Sequence, residues 1–349
     1  MKRLKITVVA GMAIAVVSLL ANPAFALACA GLIGSNGAVN LGRTTTLAAY
    51  HDGVEHYVTA FQFLGGGGEF GTLIPLPGVP TSVERGGAWT LQRLARETAP
   101  PQLARESAFF AADDGGAVVL LETRIDALDL TVLKGGAAGV AAWAEEHGFR
   151  LSPDAPEVLD FYAQRSPIFL AAVFDGDAAL ERGQQLGDGT PVHLTIPTDN
   201  PWVPLRILAL GKQATDRVNA DVFLLTDETP ALLPIPHAGL SLTHSDAATT
   251  SLLDDLRSDD GMGWVPTSAW LTKLSIDTLA SDLRFDLAVD TSGKGEPSPL
   301  ATGLDPAAAA LDAHGDGTRD DLLVAVGVVA VALAIVLVVW ERAESRRRS

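Results

Sequence analysis

The chain has 349 residues and carries 42 Asp and Glu against 25 Lys and Arg, which gives a formal net charge of −17. A field of this sign repels nucleic-acid phosphates, so the composition argues against a nucleic-acid partner. Cys29 is the single cysteine, so an internal disulfide is excluded and the fold depends on its hydrophobic core.

Residues 1–28 have the pattern of a secretory signal peptide. Basic residues precede fifteen apolar or small residues at positions 6–20, and two Ala-x-Ala sites end at Ala26 and Ala28. A membrane-spanning helix needs about 20 apolar residues, which favours a cleaved signal over an anchor. Cleavage after Ala26 and cleavage after Ala28 both remain open. Lipidation of Cys29 is a third alternative, although Ala26 stands where a lipoprotein signal has a large aliphatic residue.

The region that follows, residues 29–290, is predicted to be an extracytoplasmic α+β domain, either one domain or two lobes, with largely antiparallel sheet and a few helices. Its first clear element is a hairpin around Asp52-Gly53, a favoured two-residue turn. In that register His51 and His56 point to the same side of the sheet. The two histidines are weak candidates for a metal site or a pH sensor, but apolar neighbours on their face favour a place at the rim of a core.

Four consecutive glycines, residues 65–68, and then Gly71 raise the question of a nucleotide-binding loop. The dinucleotide motif needs a helix directly after its glycines, because the helix N-terminal amides bind the pyrophosphate. Here Pro75, Pro77 and Pro80 follow, and a helix does not accommodate them. The glycines therefore predict a loop between two strands, and no nucleotide or other cofactor is predicted.

Apolar periodicity and turn residues predict the remaining elements of the domain. Strands are predicted at residues 117–123, 129–133, 168–174, 192–196, 205–210 and 220–225. Helices are predicted at residues 91–98, at residues 140–147, and from a cap at Ser152-Pro153 through Tyr162.

A polar and aromatic cluster stands near the middle of the chain. "IPTDNPWVPLR" places Trp202 between two prolines, beside Asp199, Asn200 and Arg206. These four residues are the candidate groove for a ligand or partner, with core filling as the alternative role of the tryptophan. The sequence has no Gly-x-Ser-x-Gly nucleophile motif, and Cys29 adjoins the cleavage site, so no catalytic residue is predicted.

The C-terminal part predicts a membrane anchor. Residues 291–320 lack aromatic residues and apolar periodicity, so they are predicted to be a flexible linker. Nineteen uncharged residues, 322–340, lie within a predicted transmembrane helix at 321–341. The basic tail at 342–349 predicts a cytoplasmic C-terminus by the positive-inside rule, and the domain then lies outside the cell membrane. The stop-transfer residues of this tail are Arg342, Arg346, Arg347 and Arg348.

Several stretches, taken in order along the chain, carry a resemblance to a known family. They are "CAGLIG", "TLIPLPGVPT", "LARETAPP", "AWAEEHGFRL" and "IPTDNPWVPLRI". The chain resembles the bacterial domain of unknown function 2330 family, over about residues 29–227. It departs from the family pattern at Ala30, where glycine is expected, and at Leu73-Ile74, where an aromatic residue is expected before Pro-x-Pro. The resemblance implies an exported, membrane-tethered protein and transfers no catalytic residue.

The sequence as a whole predicts a single-pass membrane protein of the bacterial envelope. Its partners are the bilayer, through the C-terminal helix, and an envelope protein or a small ligand bound by the external domain. The leading hypothesis is a non-enzymatic binding module. The alternatives are an exported hydrolase and a metal- or pH-responsive surface protein, each with a site assembled in three dimensions.

Overall fold

The structure is a computed structural model that describes residues 26–27, 31–34, 43–62, 69–99, 122–184, 189–291 and 295–304. Outside these ranges lie most of the predicted signal peptide, including Ala28, together with Cys29, the glycine run at 65–68, the predicted transmembrane helix and the arginine tail. No helix in the described ranges has the length and apolar character to cross a bilayer.

Sixteen strands and six α-helices are present among the described residues. The strands are β1 (Ala26–Leu27), β2 (Gly31–Gly34), β3 (Arg43–His51), β4 (Val54–Gln62), β5 (Glu69–Leu76), β6 (Ser82–Arg85), β7 (Glu122–Ile125), β8 (Leu128–Lys134), β9 (Ile168–Asp175), β10 (Gly189–Pro197), β11 (Trp202–Val203), β12 (Arg217–Thr226), β13 (Ala231–Leu233), β14 (Leu240–Ala247), β15 (Trp270–Leu279) and β16 (Leu287–Asp290). The helices are α1 (Thr90–Glu97), α2 (Ala137–Glu146), α3 (Ala155–Ala163), α4 (Gly176–Glu181), α5 (Thr250–Ser258) and α6 (Pro299–Thr302).

The strands form three sheets, and most of their pairings are antiparallel. The largest sheet has the order β14-β15-β12-β3-β4-β10-β6, with β1 beside β3, and its pairs β1–β3 and β3–β12 are parallel. A five-stranded sheet has the order β2-β5-β9-β8-β7, and a small one has the order β11-β16-β13. The predicted α+β class with largely antiparallel sheet is confirmed.

The two large sheets pack face to face, and helices cover their outer faces. One apolar cluster contains residues of both sheets, such as Tyr57 and Leu224 from one and Ile74 and Leu170 from the other. A second cluster lies between the outer face of the five-stranded sheet and helices α2 and α3. A third lies between the outer face of the large sheet and helices α1 and α5. The order of layers is therefore helix, sheet, sheet, helix.

The β3–β4 hairpin follows its sequence closely. Asp52 and Gly53 have φ values of 50° and 79°, so both central residues adopt the left-handed conformation that a type I′ turn requires. His56 pairs with Ala49 across the ladder, as predicted. The segment after the glycine run also agrees with prediction, because Glu69–Leu76 continues as strand β5 and not as a helix.

Two local predictions are wrong. The segment predicted as a strand at 205–210 contains a 3₁₀ helix, Arg206–Ala209. The backbone amides of Leu205 and Arg206 donate to Asp286 Oδ1, at 2.7 and 3.0 Å, so a distant carboxylate takes the place of a strand partner. Helix α3 is capped at Asp154, with a proline in its first turn, and not at Ser152-Pro153.

The segment 295–304, which the sequence assigns to the linker, packs onto the domain. Helix α6 buries Ala301 and Thr302, and the amide of Asp286 donates to the Thr302 carbonyl at 3.0 Å. Gly303 has φ 67° and ends this helix where a Cβ would stand 2.3 Å from the Phe161 ring. The described folded part therefore extends to Leu304.

Candidate functional site

A buried carboxyl group on strand β4 is the centre of the candidate site. Side chains alternate along a strand, so Glu55 points to the same side of β4 as Tyr57 and Phe61. That side faces the core between the two large sheets. Glu55 is 1% exposed. Neither of its carboxyl oxygens has a hydrogen-bond partner among the described residues. An unpaired carboxyl in this position is costly unless it is neutral or a ligand binds it.

Glu55 lines a narrow pocket that is partly open to solvent. The other lining residues, mostly apolar, are Ala48, Tyr50, Pro201, Trp202, Val203, Leu224, Thr226 and Val289. We call this space the Glu55 pocket. Its volume is about 10 Å³, which is room for about one water molecule or one group of that size.

Burial raises the pKa of Glu55 to about 8, because the charged form loses its hydration. The backbone amide of Trp202 faces the carboxyl and opposes part of this rise, without completing a hydrogen bond of normal geometry. Burial also raises the pKa of Tyr50, and the charges of Asp199 and Glu55 add to this effect. Glu55 is therefore mostly neutral at pH 7.

The loop before β11 is tied to the hairpin at the pocket. The Tyr50 hydroxyl donates to the Thr198 carbonyl at 2.7 Å, and the Thr226 hydroxyl donates to the Glu228 carbonyl at 2.7 Å. Both hydroxyl hydrogens are thus used outside the pocket. The oxygens of Tyr50 and Thr226 keep lone pairs that can accept a hydrogen bond from a ligand.

The four residues of the predicted groove do not form one groove. Trp202 is buried, and its ring lies 5.8 Å from the Tyr162 ring and 4.9 Å from the Arg165 guanidinium carbon. Arg206 pairs with Glu157 and lies over the Phe161 ring at 4.2 Å, away from the residues that line the pocket. Asp199 and Asn200 are exposed.

Trp202 and Asp199 are nevertheless part of the environment of Glu55. Trp202 contributes to the pocket lining, and the charge of Asp199 acts on Tyr50. Of the predicted groove residues, Trp202 and Asp199 therefore lie near Glu55, and Arg206 lies apart from them. The candidate site contains Glu55 and Tyr50 of the hairpin, and it does not contain Arg206.

The other predicted site residues, His51 and His56, lie together on the face of the hairpin opposite to Glu55. The two histidines have different partners. His51 Nδ1 is 2.6 Å from Asp227 Oδ1, at an exposed position. His56 Nδ1 is 2.9 Å from His193 Nε2 of the neighbouring strand β10. The Trp264 ring lies over this histidine pair, with its centroid 4.0 Å from His56 and 5.0 Å from His193.

The histidine pair is an edge-to-edge hydrogen bond. The ring centroids of His56 and His193 are 5.1 Å apart, so the two nitrogens lie close to the line between them. His193 Nδ1 is buried without a partner, and a bare acceptor is less costly there than an orphaned N–H. We therefore assign His193 Nε2 as the donor and His56 Nδ1 as the acceptor. Burial lowers the pKa of His56 to about 4 and that of His193 to about 3; a charge on His51 adds to the effect at His56, and a charge on His56 adds to the effect at His193.

This geometry is unsuited to a metal ion shared by His56 and His193. The facing nitrogens of His56 and His193 are 2.9 Å apart and share a hydrogen, whereas two nitrogens bound to one tetrahedral zinc ion at about 2.0 Å stand about 3.3 Å apart. The described residues contain no group of three or more His, Cys, Asp or Glu that could hold a metal ion.

Sequence reasoning missed Glu55, Tyr50, His193 and Trp264. A signal for Glu55 was present, because the alternation of "VEHYVTAFQ" puts it on the same side as Tyr57 and Phe61. An acidic residue on the apolar side of a strand is uncommon enough to mark a site. The pairing of His56 with His193 had no local signal, because the two residues are 137 positions apart.

The fold and the site define an α+β protein of two face-packed sheets with a buried acidic pocket at the edge of their common core. The chain belongs to the family described as uncharacterised protein conserved in bacteria, DUF2330, whose model matches residues 23–228. That membership confirms the resemblance found in the sequence. None of the curated proteins matches this chain.

Solved structures with similarity to this chain include those of baculovirus P35. A crystal structure of baculovirus P35 is 10% identical, with 71% of this chain and 96% of that chain covered and a TM-score of 0.39. A caspase-8/P35 complex is 9% identical, with 71% and 96% covered and a TM-score of 0.38. Likeness at this level supports no conclusion about this chain.

Proposed function

We propose that this protein is an extracytoplasmic binding module, tethered to a bacterial cell membrane by its C-terminal helix, that takes a ligand or partner group in the Glu55 pocket. The apolar segment at 322–340 and the arginines that follow it support the tether. The signal-peptide pattern of residues 1–28 supports export. Residues 29–320 hold 39 Asp and Glu against 18 Lys and Arg, a net charge of −21, which suits a soluble domain that attracts cationic groups.

The observation that carries the binding role is the unpaired Glu55 carboxyl on the wall of a pocket. Buried polar groups in folded proteins nearly always have partners, so a carboxyl without one that borders a pocket is placed to bind a ligand group. Perturbed ionisable groups concentrate at functional sites.

A hydrolytic role has less support from the same pocket. Tyr50 is the one other ionisable side chain among its lining residues, and its hydroxyl hydrogen is engaged by the Thr198 carbonyl. Acid–base hydrolysis by carboxyl groups uses a pair of them, and the second is not among these residues. Binding is the function that the geometry supports better.

The test is native mass spectrometry of the full chain, extracted gently from its own membrane. The spectrum also reports the mature N-terminus and any lipid on Cys29. Ala48→Val adds two methyl groups to the wall of the Glu55 pocket. Ala49→Val is the matched control, because it makes the same change one residue along β3, on the opposite face of the sheet.

We expect a retained non-covalent mass on the wild-type chain and on the Ala49→Val chain, with a marked loss on the Ala48→Val chain. A retained mass that is equal in all three chains would place the ligand elsewhere. The complete absence of a retained mass, together with unchanged cross-linked partners for Ala48→Val, would overturn the binding role of the pocket.

A further inference from the structure

We propose that the Glu55 pocket binds a primary alkylammonium group, the protonated amine at the end of an alkyl chain. This inference rests on the proposed function, because it names the ligand class of the same pocket. The geometry that carries it is one buried, unpaired carboxyl and two hydroxyl oxygens free to accept, set among apolar walls.

When Glu55 is ionised, the side-chain polar groups of the pocket are acceptors. Glu55 offers two carboxyl oxygens, and the hydroxyls of Tyr50 and Thr226 have already given their hydrogens to backbone carbonyls. A matching ligand must therefore bring donors. A primary ammonium group has three N–H donors on one atom, and its charge makes the bonds to a carboxylate roughly twice as strong as neutral ones.

The size and the walls of the pocket select among donor-rich ligands. The space is water-sized, so a compact –NH₃⁺ group enters it more readily than a planar guanidinium. Ca²⁺ takes six to eight oxygen ligands, and the lining has too few polar groups for such a shell. The pocket has room for the ammonium group itself, so the alkyl chain behind it would extend out through the open side of the pocket.

The charges around the pocket agree with a cation. None of its lining residues is basic, so an anionic ligand has no counter-charge there. The negative charge of Asp199 acts on Tyr50 in the pocket wall. The described residues that line the pocket include no lysine or arginine. A negative field of this kind raises the local concentration of cations.

Binding of an ammonium group requires the ionised form of Glu55, so the affinity depends on pH. The pKa of Glu55 is about 8 in the free protein, and an adjacent cation lowers it. As the pH rises toward 8, the dissociation constant should therefore fall about tenfold per pH unit. Above about pH 8 it should level off. Binding at pH 7 should release about 0.9 proton, since that fraction of Glu55 is protonated beforehand.

The experiment is isothermal titration calorimetry of the full chain in mild detergent with n-butylammonium chloride. Two buffers of different ionisation enthalpy, both free of primary amines, give the proton count at pH 7 and pH 9. Two probes control for chemistry: 1-butanol has the same chain without the charge, and tetramethylammonium has the charge without N–H donors. Glu55→Gln removes the charge, and Glu84→Gln on strand β6 is the control at an exposed carboxylate outside the pocket.

We expect roughly millimolar or tighter binding of butylammonium to the wild type and to Glu84→Gln, with at least tenfold weaker binding to Glu55→Gln. Proton release near one at pH 7 and near zero at pH 9 assigns the binding to Glu55. Equal binding to wild type and Glu55→Gln, or wild-type binding no stronger than that of 1-butanol, would overturn the inference. The Ala48→Val and Ala49→Val pair provides a second comparison that leaves the carboxyl in place.

The primary amine can belong to a free small molecule or to a lysine side chain of a polypeptide. A blocked Gly-Lys-Gly peptide that binds tenfold tighter than butylammonium would identify the lysine. Binding of butylammonium with no binding of the peptide would identify a free amine, and both results support the inference. If a native ligand is lost in Ala48→Val but butylammonium does not bind, the ammonium class is wrong while the proposed function stands.

Discussion

Replacing Glu55 by glutamine should change how the stability of the protein depends on pH. The pKa of Glu55 is about 8 in the folded chain, against an ordinary value of 4.5. Because the folded-state pKa is raised, its contribution to stability is fully present below pH 4.5 and is lost as the pH rises through 8. One pKa unit corresponds to about 1.4 kcal/mol, so this loss amounts to about 4 to 5 kcal/mol across the window.

Glutamine is nearly isosteric with the protonated acid and does not ionise, so the variant should escape this loss. At pH 5 the two proteins should have similar free energies of unfolding. At pH 8 the Glu55→Gln protein should be more stable by about 4 kcal/mol. Folding of the wild type at that pH requires either burial of a carboxylate or uptake of a proton from the solution.

The assay is urea unfolding of the full chain in mild detergent, followed by circular dichroism, at half-unit steps from pH 4.5 to 8.5. The difference between wild type and Glu55→Gln cancels the contributions of all other titrating groups. Glu84→Gln, an exposed carboxylate on β6, should follow the wild type. Parallel curves for wild type and Glu55→Gln, within about 1 kcal/mol, would refute the reasoning, because Glu55 would then be hydrated or paired.

Three further predictions concern groups that hold the fold together. Asp259 accepts bonds from the amides of Ala88 and Trp89 and from the Thr90 hydroxyl, so it holds the segment that leads into α1. Asp259→Ala should cost about 2 kcal/mol in urea unfolding, while Asp260→Ala at the exposed neighbour should cost little. Asp286 is fully buried and pairs with Arg165 at 2.7 Å, so Asp286→Asn, which leaves that charge unbalanced, should cost about 3 to 5 kcal/mol, against almost nothing for exposed Asp282→Asn. The pKa values of His56 and His193 are lowered to about 4 and 3, so stability should fall as the pH drops below about 6.5. His193→Gln should move the acid-unfolding midpoint to lower pH. His237→Gln, at an exposed position, should leave the midpoint unchanged.

Local signals predicted the fold class and many of the elements up to β12, whereas none of the elements from β13 onward was predicted. The Asp52-Gly53 turn set the register of β3 against β4, and the alternation of apolar residues placed β8, β9, β10 and β12. The helices at 90–97 and 137–146 followed from apolar residues on one face and from terminators in sequence. In the hairpin turn and the two helices the bonded backbone groups are close in sequence, so a short window contains both partners.

The errors arose where backbone groups bond to distant side chains. "LRILAL" at 205–210 has the composition of a strand, but its backbone amides donate to the Asp286 carboxylate and to the Tyr162 hydroxyl oxygen, and a 3₁₀ turn results. Those partners lie 81 and 45 positions away, so no window of sequence contains them. The Glu55 pocket is similar, because hairpin, loop and strands β12 and β16 each supply part of its wall.

The two neighbours Glu55 and His56 give strand β4 opposite pH responses on its two faces. Glu55 lies in the core between the sheets and destabilises the fold as the pH rises above 4.5. His56, bonded to His193 under Trp264, destabilises it as the pH falls below 6.5. Both effects come from burial of an ionisable group. Below pH 6.5 the two histidines, His56 and His193, outweigh the single carboxyl, so these groups together place the stability maximum near pH 6.5. A cation in the Glu55 pocket would stabilise the carboxylate and extend this maximum upward, while the histidine face would be unaffected. Ligand binding and acid unfolding are therefore separable: Glu55→Gln should remove the loss of stability above pH 6.5, and His193→Gln should reduce the loss below pH 4.5, where Glu55 is protonated in both states.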